Sequence, residues 1–188
     1  MNRVEITRDT VNARVKAIQQ ITKTQVFVGI PEDKISRNNS DQATNAQLGY
    51  IHEFGSPARN IPARPWLVPG IRSSARDYMP HLRGAAAAAL DGKPDIALRE
   101  LNAAGLIAAQ SAKRMMASGN FVPLSPATIR QRQYARGTKS MRTSEKQYLA
   151  LIRQGVSPAT AQLATGIRPL INTRQLFNSV TYVLTRIP

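Results

Sequence analysis

This chain is constrained most by four prolines that lie within thirteen residues: Pro57, Pro62, Pro65 and Pro69. Each proline fixes its own φ and pushes the preceding residue towards extended geometry. Gly55 stands before them, at the end of an apolar helical run, where a left-handed residue ends many helices. The segment also holds the only tryptophan, Trp66. We therefore predict a stiff connection that loses little entropy when it docks, and interpret it as a presented segment and not as an active site.

This segment and its neighbours carry short blocks of sequence in a fixed order. The blocks read VFVGI at 26–30, NAQLGYIHEFG at 45–55, IPARPWL at 61–67, PLSPATI at 123–129 and PLINTRQLFNSV at 169–180. They resemble the helix, Glu-Phe-Gly, Pro-Ala-Arg-Pro-aromatic signature of bacteriophage tail-completion and virion-morphogenesis proteins, the neck or minor tail proteins that join head and tail in long-tailed phages. The resemblance spans roughly residues 24 to 184. Arg174 departs from it, because the family more usually has glycine after the threonine, at a tight turn.

The resemblance implies a structural virion protein that completes the tail and joins it to the head through a ring of copies, commonly six. It implies as partners further copies of the chain and other neck, connector or tail-tube proteins. Non-specific contact with packaged DNA is a separate expectation, which follows from the positive charge of the chain. Such a protein is made in the cytoplasm of the host bacterium and ends in the neck or tail of the virion.

A closed ring requires a heterologous interface, in which one patch meets a different patch on the neighbour. We predict that one such patch lies on the proline segment and consists of Arg59, Ile61, Arg64, Trp66 and Leu67. Large aromatic side chains dominate interface energies, which favours a contact through Trp66. The alternative is that Trp66 fills the core of its own chain. Glu53 is the acid of the same motif, and Arg59 or Arg64 could pair with it to brace the loop.

Composition limits what the chain can be. A length of 188 residues suggests one domain, and 42% hydrophobic residues suffice for a core, while only 5% aromatic residues predict a core of small side chains with closely packed helices. The absence of cysteine excludes disulfides and thiolate metal sites. The longest apolar run, residues 85–90, is far too short to span a bilayer, so we expect no membrane association and a soluble protein.

Positive charge is concentrated in the second half of the chain. Residues 1–100 carry 14 basic and 10 acidic groups, a net of +4, whereas residues 101–188 carry 12 basic groups and the single acid Glu145, a net of +11. Such a charge indicates an anionic partner, either nucleic acid or an acidic protein surface. We predict that the partner-facing or DNA-facing groups are Arg130, Arg132, Arg136, Lys139 and Arg142. The alternative is a solvated face that only keeps the protein soluble.

Hydrophobic periodicity predicts an α+β fold, with a small antiparallel sheet covered on one face by long amphipathic helices. Strict alternation predicts strands at residues 24–30 and 179–185, which would pair although they lie at opposite ends of the chain. Spacings of three and four predict helices from about Asp41 to Phe54, over residues 71–90 with a kink at Pro80, and after Asp95. The last of these has a face of small residues that lets another backbone approach closely: Ala97, Leu101, Ala104, Ala108, Ala112 and Met115.

Residues 119–166 form a basic segment with fewer apolar residues than the rest. We predict a partly helical excursion or docking arm here, separate from a core domain of residues 1–118 and 167–188. Ser125-Pro126 and Ser157-Pro158 are typical helix starts, and Ser144 with Gln147 predicts a capping box. Since the apolar content is low, we expect the arm to be mobile in the free protein, with a flexible span at residues 136–140.

Residue patterns typical of enzymes are missing from the sequence. His52 and His81 are the only histidines and belong to different predicted helices, so they make a poor metal site. The acids lie mostly at caps and in loops and do not form the convergent set that a metal-dependent nuclease needs. We therefore predict a protein without enzymatic activity and without a cofactor or metal. A non-sequence-specific nucleic-acid-binding protein remains the alternative function, and a nuclease or toxin-type enzyme the third.

Overall fold

The computed structural model describes residues 11–34 and 43–186. Nine helices and two strands lie in this part of the chain, together with short 3₁₀ turns at Glu32–Lys34 and Pro57–Arg59. In chain order they are α1 (Val11–Thr22), β1 (Thr24–Gly29), α2 (Asn45–Phe54), α3 (Leu67–Ser73), α4 (Ala75–Leu90), α5 (Pro94–Ser118), α6 (Pro126–Ala135), α7 (Thr143–Arg153), α8 (Pro158–Thr165), α9 (Gln175–Ser179) and β2 (Thr181–Arg186).

The chain divides into two compact units. Of the described residues, the first contains 11–29, 71–111 and 181–186, and the second contains 30–34, 43–70 and 112–180, so that helices α3 and α5 contribute to both. This division differs from the predicted one, because residues 119–166 belong to the same unit as residues 43–70 and 167–180. The predicted boundaries at 118 and 166 therefore do not separate an arm from a core.

The first unit contains the predicted sheet. Strands β1 and β2 pair antiparallel, with Val26 opposite Leu184 and Val28 opposite Tyr182. One face is partly buried, whereas Phe27 on the other face is 52% exposed. The prediction of an α+β fold with a small antiparallel sheet against long helices is confirmed.

Small residues let helix α5 approach the sheet. A Cβ added to Gly105 would lie 2.4 Å from Cδ2 of Tyr182, so only glycine leaves room for this ring. The Tyr182 hydroxyl then reaches Oδ1 of Asn102, at 3.1 Å. The predicted face of α5 is buried, except that Met116 replaces Met115 at its end. A second small-residue contact joins α4 and α5, where Ala88, Ala89 and Ala97 form one cluster.

The predicted helix over residues 71–90 is two helices. Ser74 separates α3 from α4, and its buried hydroxyl donates a hydrogen bond to the carbonyl oxygen of Ile71, at 3.1 Å. Pro80 lies inside α4 as expected. Periodicity did not reveal the break because the apolar spacing continues across it. The predicted helix start near Asp41 lies outside the described residues; α2 begins at Asn45, with a capping box between Thr44 and Gln47.

The second unit is held by two buried clusters. One surrounds Trp66 and contains Ala112, Met116, Phe121, Leu170, Leu176 and Val180. The other is built almost entirely from the segment that we predicted to be a mobile arm, and contains Leu124, Ile129, Tyr148, Leu149, Ala161 and Ile167. Ile129, Tyr148 and Ala161 have no exposed surface at all. The segment therefore has a buried cluster of its own, although Val122, Tyr134 and Leu163 are exposed. Its mobility in the free protein stays a prediction.

Two of the three helix caps predicted in this segment are present in the structure. Ser125 and Ser157 accept hydrogen bonds from the backbone N–H groups of Thr128 and Thr160, as predicted. The third cap is wrong: α7 begins after Arg142 and not after Ser144. Glu145 accepts from the backbone N–H of Arg142 at 3.0 Å, and this carboxylate decides where α7 starts.

Candidate interaction site

Glu53 organises the proline segment. Its Oε2 accepts hydrogen bonds from the backbone N–H groups of Trp66 and Leu67, at 2.7 and 2.8 Å, and its Oε1 accepts from that of Val68, at 3.1 Å. These N–H groups lie at the start of helix α3 and have no acceptor within it. A carboxylate there accepts their hydrogen bonds and also interacts favourably with the positive end of the helix dipole. The predicted pairing of Glu53 with Arg59 or Arg64 is wrong, since its oxygens bind backbone groups.

The turn between α2 and α3 depends on Gly55 and Arg64. Gly55 has φ of 77°, and a Cβ on it would lie 2.8 Å from the backbone nitrogen of Ala63, so the two chain segments pass in direct contact. Arg64 is 5% exposed and donates hydrogen bonds from Nε to the carbonyl oxygen of Val122 and from Nη2 to that of Pro123, at 2.8 and 3.1 Å. Burial lowers the pKa of Arg64 below its ordinary value.

Trp66 lies inside its own chain. It is 2% exposed, belongs to the first cluster of the second unit, and donates from Nε1 to the carbonyl oxygen of Gly49, at 3.3 Å. Leu67 is half-buried against the same cluster. Of the predicted contact residues, Arg59 is exposed and Ile61 is half-buried, whereas Arg64 and Trp66 are buried. The alternative role of Trp66 as a core residue is therefore the one that the structure supports.

We expect Glu53→Gln to lower the free energy of unfolding by about 1–3 kcal/mol. The amide keeps the shape of the side chain but loses the charge that three backbone N–H groups share, and its NH₂ group cannot accept a hydrogen bond. Urea unfolding of both proteins measures the effect. Glu32→Gln is the matched control, because Glu32 is exposed in the first turn of a 3₁₀ helix. Equal stability of the two variants would contradict the capping role.

Arg132 braces the C-terminal part of the second unit. It is 7% exposed, and its guanidinium donates hydrogen bonds to the carbonyl oxygens of Arg168, Pro169 and Ile171, at 2.9, 2.7 and 3.3 Å. Burial, with a smaller contribution from neighbouring arginines, lowers the pKa of Arg132 to about 10, although Glu145 opposes the shift. Arg132 is still protonated at neutral pH, and its charge faces the interior.

Arg136 and Glu145 form a buried, bidentate ion pair. Nη1 and Nη2 of Arg136 donate to the two oxygens of Glu145, at 2.6 and 2.8 Å, and Nη1 also donates to Oδ1 of Asn172, at 2.8 Å. The side chains of Arg136 and Glu145 are 9% and 2% exposed. Burial alone would raise the pKa of Glu145, but hydrogen bonds and charge from Arg136, with help from Arg142 and Arg132, lower it below its ordinary value.

The predicted basic surface is therefore divided. Arg130 and Lys139 are exposed, and Arg142 is exposed with one hydrogen bond from Nη2 to the carbonyl oxygen of Asn172, at 3.2 Å. Arg132 and Arg136 direct their guanidinium groups at acceptors within the chain. Charge counting missed this difference, although one signal was available: Glu145 is the single acid among the many basic residues of its region.

An open cavity of about 740 Å³ lies beside these residues. Four arginines contribute to its wall, and we call it the arginine cleft: Arg132, Arg142, Arg168 and Arg174. Ser144, Glu145, Asn172 and Thr173 supply further polar groups, and Phe177 is the one aromatic side chain among the described lining residues. Arg168 and Arg174 are not among the predicted site residues, because they lie outside the densest run of positive charge.

Arg174 reaches the cleft from a strained backbone position. Its φ of 63° is left-handed, which costs a residue with a Cβ about 1–2 kcal/mol. The tight turn expected there is thus retained without glycine. The backbone carbonyl of Arg174 accepts from the N–H of Asn178, at 2.8 Å, which fixes the first turn of α9.

The described part of the chain holds no cluster of metal-binding side chains. Among residues 11–34 and 43–186, no three histidine, aspartate or glutamate side chains lie close enough together to hold a metal ion. His81 pairs through Nδ1 with Glu100, at 2.7 Å, on helices α4 and α5 of the first unit. Every helix that the structure describes is too short or too polar to cross a membrane.

Comparisons with models of protein families, with curated proteins and with solved structures find no match to this chain. The contacts among the sequence blocks, the cleft and the charge distribution are the observations that bear on its function.

Proposed function

We propose that this protein is a structural component of a phage neck or tail, and that it completes the tail and joins it to the head by assembling into a ring of copies. It acts by assembly and not by catalysis. The ring is expected to contact other neck, connector or tail-tube proteins, and the protein reaches the virion after synthesis in the bacterial cytoplasm.

One observation carries the proposal: the separate sequence blocks that resemble the phage family contact one another. Glu53 of the second block caps the helix that the third block begins, at 2.7 Å from the N–H of Trp66. Arg64 of the third block binds the carbonyl of Pro123, where the fourth block begins. Trp66 and Leu176, from the third and last blocks, share one cluster. Short matches that arose by chance would not be expected to lie together.

The use of these side chains also supports a structural role. Glu53, Arg64 and Arg132 direct their charged groups at backbone N–H or carbonyl groups, where they fix the path of the chain. A catalytic carboxylate or guanidinium must instead face a substrate. Polar residues that hold irregular segments rigid are what an assembly subunit needs, because a pre-organised surface loses less entropy on association.

The experiment is to interrupt the gene in a phage that carries it and to examine lysates by electron microscopy. We expect DNA-filled heads and separate tails, and restoration of joined particles when the wild-type protein is supplied from a plasmid. Labelled protein in the restored particles should lie at the neck or the head-proximal end of the tail. Normal, infectious particles without the protein would refute the proposal.

A non-sequence-specific nucleic-acid-binding function is the second candidate, and the charge of +15 is the observation that favours it. The structure reduces the charge available, because Arg132 and Arg136 bind groups within the chain. Binding of duplex DNA measured against salt concentration tests this candidate. A dedicated binder retains affinity at moderate salt, with a logarithmic slope of about one unit for each phosphate neutralised.

A further inference from the structure

The arginine cleft holds more positive charge than the described residues can neutralise. Glu145 is the one acid in its described wall, and both oxygens of this carboxylate are already bonded to Arg136, with a further bond from the backbone N–H of Arg142. Arg168 and Arg174 are exposed, and their guanidinium groups have no hydrogen bond or ion pair with any residue that the structure describes. Both are therefore available to a ligand.

Two further observations agree with this excess of charge. Burial lowers the pKa of Arg132 most, and the nearby charges of Arg136 and Arg142 lower it further, although Glu145 raises it. Arg174 also keeps a left-handed backbone, with φ of 63°, although its side chain makes no hydrogen bond or ion pair with a described residue. Strain of this kind persists where the side chain or the turn is needed.

We propose that the arginine cleft binds a short acidic segment of a partner protein, whose carboxylates pair with Arg142, Arg168 and Arg174. This inference rests on the proposed assembly function and names the chemistry of one neighbour. Guanidinium groups bind carboxylates in a bidentate fork, and they keep their charge at any physiological pH. The cavity of about 740 Å³ is of the size that encloses a ligand of several side chains.

A peptide fits the cleft better than nucleic acid does. Duplex DNA is too broad to enter a cavity of this volume and would touch only its rim. Single strands are held largely by stacking of bases on aromatic rings, and Phe177 is the one aromatic side chain in the described wall. The walls instead offer the hydroxyl groups of Ser144 and Thr173, which suit a peptide backbone and its carboxylates.

A second copy of the same chain is a poor occupant. Each copy carries a net charge of +15. Among the described residues the exposed acids are Glu32, Asp33, Asp77, Asp91 and Asp95, and each lies within two positions of an exposed basic residue. A neighbour of this composition brings little negative charge to the cleft. The occupant is therefore expected to be a different, acidic chain.

Fluorescence anisotropy with a labelled hexaglutamate peptide tests the proposal on the full-length protein. The cleft variant is Arg168→Ala with Arg174→Ala, which removes two charges without removing a described side-chain hydrogen bond. The matched control is Arg130→Ala with Lys139→Ala, which removes the same charge from exposed positions outside the cleft wall. Thermal unfolding verifies that each variant is folded, and alanine has the same left-handed strain as arginine at position 174.

We expect the cleft variant to bind the peptide at least about tenfold more weakly than the wild type, and the control less than about threefold more weakly. Equal losses in the two variants would overturn the proposal in favour of diffuse charge, and an absence of binding by the wild type would overturn it outright. A thymidine oligonucleotide of equal charge is the second probe. Tighter binding of it than of the peptide, lost only in the cleft variant, would assign the cleft to nucleic acid.

Self-association is measured on the same proteins by analytical ultracentrifugation. We expect the cleft variant to form the same oligomer as the wild type, whereas loss of the oligomer in this variant alone would assign the cleft to a second copy and overturn the proposal. The outcome is independent of the gene-interruption experiment. Unjoined particles together with a failed peptide test would reject the cleft and leave the assembly function standing.

Discussion

Replacement of Glu145 with glutamine is expected to lower the free energy of unfolding by about 3–5 kcal/mol, because it leaves a buried guanidinium without its counter-charge. Arg136 donates two hydrogen bonds to this carboxylate, and the side chains of the pair are 9% and 2% exposed. Arg132 and Arg142 also face the lost charge. The backbone N–H of Arg142 would in addition lose the acceptor that starts helix α7.

Urea unfolding at neutral pH measures this loss. Asp91→Asn is the control, since the ion pair between Lys93 and Asp91 is also at hydrogen-bond distance, 3.2 Å, but its side chains are 57% and 63% exposed. Surface pairs of this kind contribute about 0–1 kcal/mol, so the control should be nearly neutral. If Glu145→Gln cost no more than Asp91→Asn, the buried pair would not stabilise the second unit.

The effect of Glu145 should also depend on pH in a defined direction. The pKa of Glu145 is lowered in the folded protein, whereas the pKa of a glutamate in an unfolded chain is about 4.3. The stabilisation is therefore complete above the unfolded pKa and is lost as the pH falls through the lower folded pKa. The difference in stability between wild type and Glu145→Gln should shrink below about pH 4. A difference that grew on acidification would contradict the assignment.

Trp66→Ala is expected to lower the free energy of unfolding by about 3–5 kcal/mol, as truncation of a fully buried aromatic residue does. Trp66 is 2% exposed, packs in a cluster with Met116, Phe121 and Leu176, and is also fixed by its hydrogen bond to Gly49. Removing the ring leaves a cavity whose walls come from segments that are distant in sequence. The second unit should lose stability before any effect on assembly can be seen.

Tyr50→Ala is the matched control for Trp66→Ala. Tyr50 is 66% exposed on α2, and its ring lies 4.8 Å from that of Phe54, also on the surface. A helix-surface pair of this type contributes about 0.2–0.5 kcal/mol, so the control should unfold almost as the wild type does. Unfolding is followed by the fluorescence of Trp66 in the control and by circular dichroism in both variants. If Trp66→Ala were as stable as the wild type and failed only in ring assembly, the core role would be contradicted and the predicted interface role of Trp66 would be supported.

Charge reversal of Arg132 and Arg136 would not test a partner surface, although the sequence suggested these two residues for it. Arg132 binds three carbonyl oxygens, and Arg136 binds Glu145 and Asn172. An acidic side chain at either position would place a negative charge next to these oxygen acceptors, and this repulsion would destabilise the fold. Arg130 and Lys139, which are exposed, and the free arginines of the cleft are the positions at which a change of charge can report on binding.

The sequence alone determined the features that depend on near neighbours. Ser125 and Ser157 start helices because a hydroxyl followed by proline satisfies the first turn wherever it occurs. Alternation predicted both strands, and spacings of three and four predicted the buried face of α5, because both patterns express the geometry of a single element. Local signals were incomplete where the pattern continued past a break, as at Ser74.

Tertiary structure alone decided which charged groups are buried and what they bind. Arg64 reaches carbonyl groups 58 and 59 residues away, and Arg132 reaches groups 36 to 39 residues away. The sequence does not distinguish these side chains from Arg130 or Lys139, because a basic residue has the same formal charge whether it is buried or exposed. Desolvation of a guanidinium or carboxylate is offset only by partners that the fold brings to it. The arginine cleft, with its uncompensated charge, therefore became visible only when the partners of Glu145 and Arg132 were known.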